Sequence, residues 1–162
     1  KTAAKISRAR RIGVLSTVVT AESDFQARLI DEFANGCEVV NLGTNELVPR
    51  IERGAWHTEL PQILPSLLEP FRKAGVDALV LGCSHYPLLK QEIQAILGSA
   101  VTLVDSAEGI ARQVRRVLEE HGLLAAGGTP SHRFITTAES PALPRVLDRL
   151  GISRSPAPSL VS

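Results

Sequence analysis

Four short apolar runs, separated by longer amphipathic stretches, constrain the fold of this chain more than any other feature. They are Arg11 to Leu15, Glu38 to Leu42, Ala78 to Leu81 and Val101 to Val104. Each is largely continuous in apolar character, whereas a strand with one wet face alternates apolar and polar residues. Strands covered on both faces are typically parallel, and parallel neighbours need crossover connections that are usually helices. The expected architecture is therefore α/β, a flavodoxin-like parallel sheet of about four strands flanked by helices.

The intervening stretches carry the matching helical period. Phe25, Leu29 and Phe33 recur every four residues, with Asp24, Arg28, Asp31 and Glu32 on other faces, which predicts a helix over about Glu22 to Ala34. Thr20 is placed to cap it and Gly36 to close it. From Glu59 to Gly75 an apolar stripe of Ile63, Leu64, Leu67, Leu68, Phe71 and Ala74 is interrupted by Pro61, Pro65 and Pro70. Each proline removes a backbone donor, so a broken or kinked helix is expected there. Pro87 opens a cleaner helix whose buried face is Leu88, Leu89, Ile93, Ile96 and Leu97, with Gly98 as its stop. Beyond the fourth run, Ile110, Val114, Val117 and Leu118 oppose Arg112, Arg115, Arg116, Glu119 and Glu120 in an amphipathic helix reaching His121-Gly122. A small, Gly-rich stretch from Leu123 to Pro130 precedes a short strand, His132 to Thr136, and a helix over about Ala142 to Leu150. Ser153 to Ser162 is Ser/Pro-rich and reads as disordered.

Composition excludes several classes of function. With 162 residues, 44% of them hydrophobic, the chain can bury a real core in one or at most two domains. Eighteen Lys+Arg against seventeen Asp+Glu give a net charge of +1, which leaves no basic excess for a nucleic-acid partner. The longest apolar run, Ala78 to Leu81, is far below the roughly 18 residues of a membrane span. The basic start, Lys1 to Arg11, lacks the apolar segment of a signal peptide, and Cys37 and Cys83 are too few for a disulfide scaffold. A reducing, cytoplasmic compartment fits both. No Cys/His spacing completes a zinc set, and no Gly-x-Gly-x-x-Gly or phosphate-loop pattern occurs, which disfavours dinucleotide or nucleoside-triphosphate use. Methionine is absent, and composition leaves processing and truncation equally open.

In open parallel sheets, ligands bind at the carboxyl ends of the strands. Those ends are Ser16-Thr17-Val18-Val19-Thr20, Gly43-Thr44-Asn45, Gly82-Cys83-Ser84-His85-Tyr86-Pro87 and Asp105-Ser106. Asp105-Ser106 reads first as a helix cap. Cys83 follows a buried strand and precedes a helix, so its sulfur would lie near a positive helix end, where a thiolate is favoured. His85, two residues on, could stabilise that thiolate or relay a proton, and Ser84 with the free amides of the turn could hold a carboxylate. The competing reading of Cys83 is a small buried hydrophobe. Cys37 begins the second strand, at the opposite edge, and reads as structural. His57, His121 and His132 are isolated, with surface or capping roles expected, and Trp56 and Tyr86 are too few for a base-stacking platform.

Taken together, the segment Val76-Asp77-Ala78-Leu79-Val80-Leu81-Gly82-Cys83-Ser84-His85-Tyr86-Pro87-Leu88-Leu89 resembles the second catalytic motif of bacterial glutamate racemases. Val101 to Ser106 stands where that family has a similar strand end. Ile12 to Ser23 resembles its threonine-rich first strand of this half, Glu46 to Gly54 its helical Leu-Val-Pro segment, and His132 to Thr137 its terminal strand. The likeness covers about residues 8 to 150.

The resemblance implies a cofactor-independent two-base racemase that interconverts L- and D-glutamate and supplies D-glutamate for peptidoglycan, and so for cell-wall biogenesis and cell shape. In that family two cysteines face each other across the substrate, one removing the α-proton and the other donating to the opposite face. Cys83 matches the second of the pair and His85 its assisting acid/base. Glu52 matches an auxiliary acidic residue near that histidine, and Thr17, Thr20 and Ser84 match substrate-binding positions. The family's Asp-Ser-Gly segment and the Asn-Thr segment with the first cysteine are not found here, and Cys37 does not match that cysteine in context. Ser84 stands where Thr is usual, Val19 replaces a Gly, and Phe25-Gln26 replaces a Gly-Ala-Tyr-like context.

Family architecture then implies the domain plan. Residues 1–105 are expected to form the second α/β domain, carrying Cys83, residues 106–150 a helix-strand-helix return into a first domain that is largely missing, and residues 151–162 a disordered tail. On this reading the absent methionine reflects truncation, and the chain is a carboxy-terminal portion, inactive alone. Its partner is the small molecule glutamate, and a homodimer stays open. Two alternatives remain. A related aspartate or hydantoin racemase is disfavoured by His85, because those relatives carry an acidic residue there. A flavodoxin-like ligand-binding module would leave Cys83 inert.

Overall fold

The computed structural model describes residues 1–129, 131, 133–137, 142–152 and 159–160. The four apolar runs become strands β1 (Arg11–Ser16), β2 (Glu38–Gly43), β3 (Ala78–Leu81) and β4 (Thr102–Val104) of one parallel sheet in the order β2-β1-β3-β4. The register sets Ile12 opposite Val39 and Ala78, Leu15 opposite Leu42 and Leu81, and Val80 opposite Val104. The chain therefore leaves β1 toward one edge and returns past it to build the other. This reversal lies between β1 and β3, the place where open α/β sheets bind ligands.

Helices cover both faces of this sheet. In chain order they are α1 (Thr2–Ile6), α2 (Val18–Ala21), α3 (Asp24–Phe33), α4 (Leu47–Glu52), α5 (Leu60–Ala74) and α6 (Lys90–Leu97), the last preceded by a 3-10 turn, Tyr86–Leu89. The main core joins Leu15, Leu79 and Leu81 of the sheet to Leu47, Ile51, Leu60, Leu64, Leu68, Phe71, Leu89 and Ile93. Each such side chain, removed from water, contributes roughly 1.5 to 3 kcal/mol. A smaller cluster on the other face is built from Ala3, Ile12 and Ala78, with Cys37, Val80 and Val104 against it.

α5 and α3 differ from what their sequences predict. α5 is one continuous helix rather than a broken one, because Pro61 occupies its first turn and Pro65 and Pro70 stand on the exposed side. The opposite side buries Leu60, Leu64, Leu68 and Phe71 completely, which outweighs two missing donors. Phe71 lies so close over β1 that a Cβ on Gly13 would stand 2.6 Å from its Cδ1. α3 is capped by Ser23, whose Oγ accepts from the Gln26 amide at 3.1 Å, and not by Thr20. Thr20 is taken up in the extra turn α2, and its carbonyl accepts from the Ser23 hydroxyl at 2.7 Å.

The amino edge of the sheet is bound by charged groups. The Asp77 carboxylate accepts from the Ser7 hydroxyl and, at 2.7 Å each, from the amides of Arg8 and Ala9. Burial opposes its charge, but these hydrogen bonds prevail and hold the carboxyl below its ordinary value. The Arg10 guanidinium donates to the carbonyls of Asn35 at 2.8 Å and of Gly36 and Ala4 at 3.2 Å, from a residue whose own φ is 55°.

Two compact units divide the chain, Lys1–Ile51 with Ala55–Asp105 and Glu52–Gly54 with Ser106–Ser162. The second contains α7 (Ala107–Glu120), β5 (Ile135–Thr136), α8 (Ala142–Arg149) and β6 (Ser159–Leu160), with β5 parallel to β6. Ser159 and Leu160 are thus an exception to the disorder expected of the tail, whose other residues after Ile152 lie outside the described residues, as does His132. The Arg145 guanidinium donates to the Arg53 carbonyl at 2.8 Å. α7 buries none of its residues, and its apolar stripe stands exposed, at 58% for Ile110 and 51% for Val114.

Candidate active site

The carboxyl edge of the sheet collects the residues singled out by sequence. β1 ends at Ser16, and Thr17 then caps α2, with its hydroxyl 3.0 Å from that of Thr20. Beside it β2 ends at Gly43. The Thr44 amide donates to the Ser16 carbonyl at 2.9 Å, and the Asn45 side-chain oxygen accepts from the Val18 amide at 3.4 Å. On the other side of β1, β3 ends at Leu81, and the Gly82 amide donates to the Leu15 carbonyl at 2.8 Å. A Cβ on Gly82 would lie 3.1 Å from the Ser16 Cβ and 3.2 Å from the Leu15 carbonyl oxygen, so any other residue would push these two turns apart by a few tenths of an ångström.

Cys83, Ser84 and His85 follow immediately. The Cys83 Sγ lies 3.9 Å from His85 Nδ1, and both side chains are partly exposed while Ser84 is exposed. At that distance the sulfur and the ring nitrogen are in long hydrogen-bond contact, neighbours on one loop. The helix expected to start at Pro87 begins instead as the 3-10 turn, so the full α-helical dipole of α6 is set one turn further from the sulfur. Asp105, expected with Ser106 to cap the next helix, stands one residue before the N-cap of α7. Its carboxylate pairs with Lys90 Nζ at 2.6 Å, and Ser106, the residue at the cap of α7, makes no side-chain capping bond.

Glu52 ends α4, is exposed, and belongs to the second compact unit with Arg53 and Gly54. Its part in a site rests on the resemblance alone. Cys37 precedes β2 at the amino edge, and the direction of the parallel strands puts it across the sheet from Cys83. Among the described residues, no cluster of three His, Cys, Asp or Glu side chains could hold a metal ion. Nor is any described helix long and apolar enough to cross a membrane. His121 ends α7 with Nδ1 2.8 Å from the Val117 carbonyl, and Trp56 is buried in the main core.

One residue escaped the sequence reading. Tyr86 is fully buried, and its hydroxyl donates toward the carbonyls of Ser16 at 3.2 Å and Thr44 at 3.1 Å. Burial, and then the negative charge that Cys83 can carry, push this phenol well above its ordinary value. The available signal was that a buried tyrosine hydroxyl almost always needs a partner.

Comparison with known proteins decides the family. The family model described as Asp/Glu/hydantoin racemase matches residues 1–114. The chain belongs to that family. Its curated relatives include a glutamate racemase of Ralstonia nicotianae, 41% identical over 140 residues that make up 86% of this chain and 50% of the relative. Among solved structures, a glutamate racemase isoform of Bacillus anthracis superposes with a TM-score of 0.80 at 32% identity, over 99% of this chain and 60% of the other. A glutamate racemase of Francisella tularensis, solved in complex with D-glutamate, gives a TM-score of 0.79 at 27% identity, over 99% and 62%. The chain thus spans about half the length of the curated relatives it matches. The parallel α/β architecture of these racemases is the fold described above.

Proposed function

We propose that this chain carries one face of the active site of a glutamate racemase, working without a cofactor. The observation that carries this reading is the Cys83–His85 pair, 3.9 Å apart at the carboxyl edge where β1 and β3 diverge. Cys83 transfers a proton at the α-carbon of glutamate, and His85 returns the sulfur to its working protonation state. Ser84, Thr17 and Thr20 offer hydroxyls to the carboxylates of the substrate, and the resemblance gives Glu52 the part of an auxiliary acid. An amino acid's α-proton is weakly acidic, so the carbanion needs preorganised donors and exclusion of water.

Inversion requires a second acid on the opposite face of the substrate. Cys37 sits at the wrong edge of the sheet for that task. The second thiol therefore comes from the half of the relatives' length that this chain does not match. Racemases named for glutamate among the relatives, one of them solved with D-glutamate, support this substrate over aspartate or hydantoins. The reading extends to D-glutamate supply for peptidoglycan and cell shape, in the cytoplasm, and leaves room for a homodimer.

Exchange of the α-hydrogen of L- and D-glutamate with D₂O tests the proposal. The 162-residue chain alone should be silent, and the chain co-expressed with the half of the Ralstonia relative that it does not match should exchange both enantiomers. Rapid racemisation by the chain alone would refute the two-thiol requirement. Silence of the complemented pair, when that pair is shown to associate, would refute the racemase assignment.

A further inference from the structure

Three turns converge at the carboxyl edge, and Tyr86 is attached to each of them. Its amide donates to the Cys83 carbonyl at 3.1 Å. Its hydroxyl reaches the Ser16 carbonyl, whose peptide leads into Thr17, and the Thr44 carbonyl, whose peptide leads into Asn45. The Thr44 amide closes the triangle on the same Ser16 oxygen. Burial holds this phenol above its ordinary value, so it remains a donor around neutral pH. The thiol loop is thereby held at both ends, by Gly82 on β1 and by Tyr86 on β1 and β2.

We infer that Tyr86 is a positioning residue of this site, fixing the Cys83–His85 loop relative to the Thr17–Thr20 turn without touching substrate. The role of the site rests on the racemase reading; the positioning role itself can be read on the thiol. Deleting only the hydroxyl, as in Tyr86→Phe, keeps the buried ring and the bond from the residue 86 amide to Cys83. What it frees is the attachment of that loop to β1 and β2, and with it the approach of sulfur to imidazole.

The experiment alkylates the 162-residue chain and its Tyr86→Phe variant with iodoacetamide across a pH series, with each labelled cysteine resolved by peptide mass. Cys37, packed against the small cluster, is the reference within the same molecule. The variant should displace the pH profile of Cys83 and change its rate relative to Cys37 on the order of tenfold, since misplacement of reacting groups is costly in rate. Cys37 should keep its profile. A purely structural tyrosine would leave the Cys83 profile where it was, and that result overturns the inference. Should the variant unfold, Cys37 will accelerate as well, and 3-fluorotyrosine in the unsubstituted chain then decides. Tyr86 is the single tyrosine, so its one resonance must move when Cys83 is alkylated; a stationary resonance refutes the role. Protection of Cys83 by D-glutamate in the unsubstituted, complemented protein is scored separately, so that loss of the racemase reading and loss of the positioning role give different patterns.

Discussion

The two edges of the sheet are built from the same strands and use their polar groups in opposite ways. At the amino edge, charged side chains are consumed by the backbone: Asp77 holds Ser7, Arg8 and Ala9, and Arg10 holds three carbonyls. At the carboxyl edge the Asp105–Lys90 pair is the charged exception, and the turns around Cys83 are fastened by a neutral phenol, the Asn45 side chain and main-chain bonds, which leaves a thiol, an imidazole and hydroxyls partly exposed. A polar group is free for chemistry only where something else satisfies the backbone around it. The comparison teaches that the turns bearing the reactive groups are fastened without charge, whereas the amino edge is fastened with it.

That contrast can be broken, beginning with the largest effect. Asp77→Ala should lower stability in urea unfolding by about 2 kcal/mol, because one carboxylate serves three donors. The alkylation rate of Cys83 should stay constant, and a changed rate in the folded variant would show that the edges are coupled. Acid removes the same clamp more gradually. The folded Asp77 carboxyl is held below its ordinary value, so the unfolded chain binds the proton more tightly and stability falls with pH. The clamp is fully present above about pH 4, the unfolded value, and is lost as pH drops through the lower folded one. Unfolding midpoints between about pH 5 and 2 should show this slope, and Asp77→Asn should flatten it.

Smaller effects sharpen the other side of the comparison. Tyr86→Phe should cost about 1 kcal/mol in the same unfolding measurement, since its ring remains packed and one buried hydroxyl is lost. His85→Gln should change stability by no more than about 0.5 kcal/mol, as a partly exposed side chain at the reactive edge, yet slow the alkylation of Cys83 near neutral pH. A large stability loss with unchanged thiol reactivity would place His85 on the structural side.

How much of this was legible depends on the range of the interactions involved. Strands β1 and β3 could be read because burial on both faces leaves continuous apolar runs, edge strand β2 because Val39, Val40 and Leu42 keep the pattern while only half-buried, and β4 differs in starting at Thr102. α5 was misjudged because proline signals a lost local bond, whereas Leu60, Leu64, Leu68 and Phe71 act through tertiary burial. The helix cap moved from Thr20 to Ser23 because α2, a four-residue turn, is too short to carry a period. Cys83 and His85 were visible together, being two residues apart. Tyr86 was not, because its partners Ser16 and Thr44 are 70 and 42 residues away and are backbone carbonyls, which no side-chain pattern can announce.

The prolines of α5 bear on the order in which this molecule assembles. A helix without amide donors at positions 65 and 70 gains little from forming alone, since isolated helices of this length are marginal even with every bond in place. Its burial partners include Leu79 of β3, which leaves the ribosome after α5 does. The helix that contributes most apolar surface to the core is thus expected to stay unformed during synthesis until β3 has joined β1, and to condense onto the sheet as a late event.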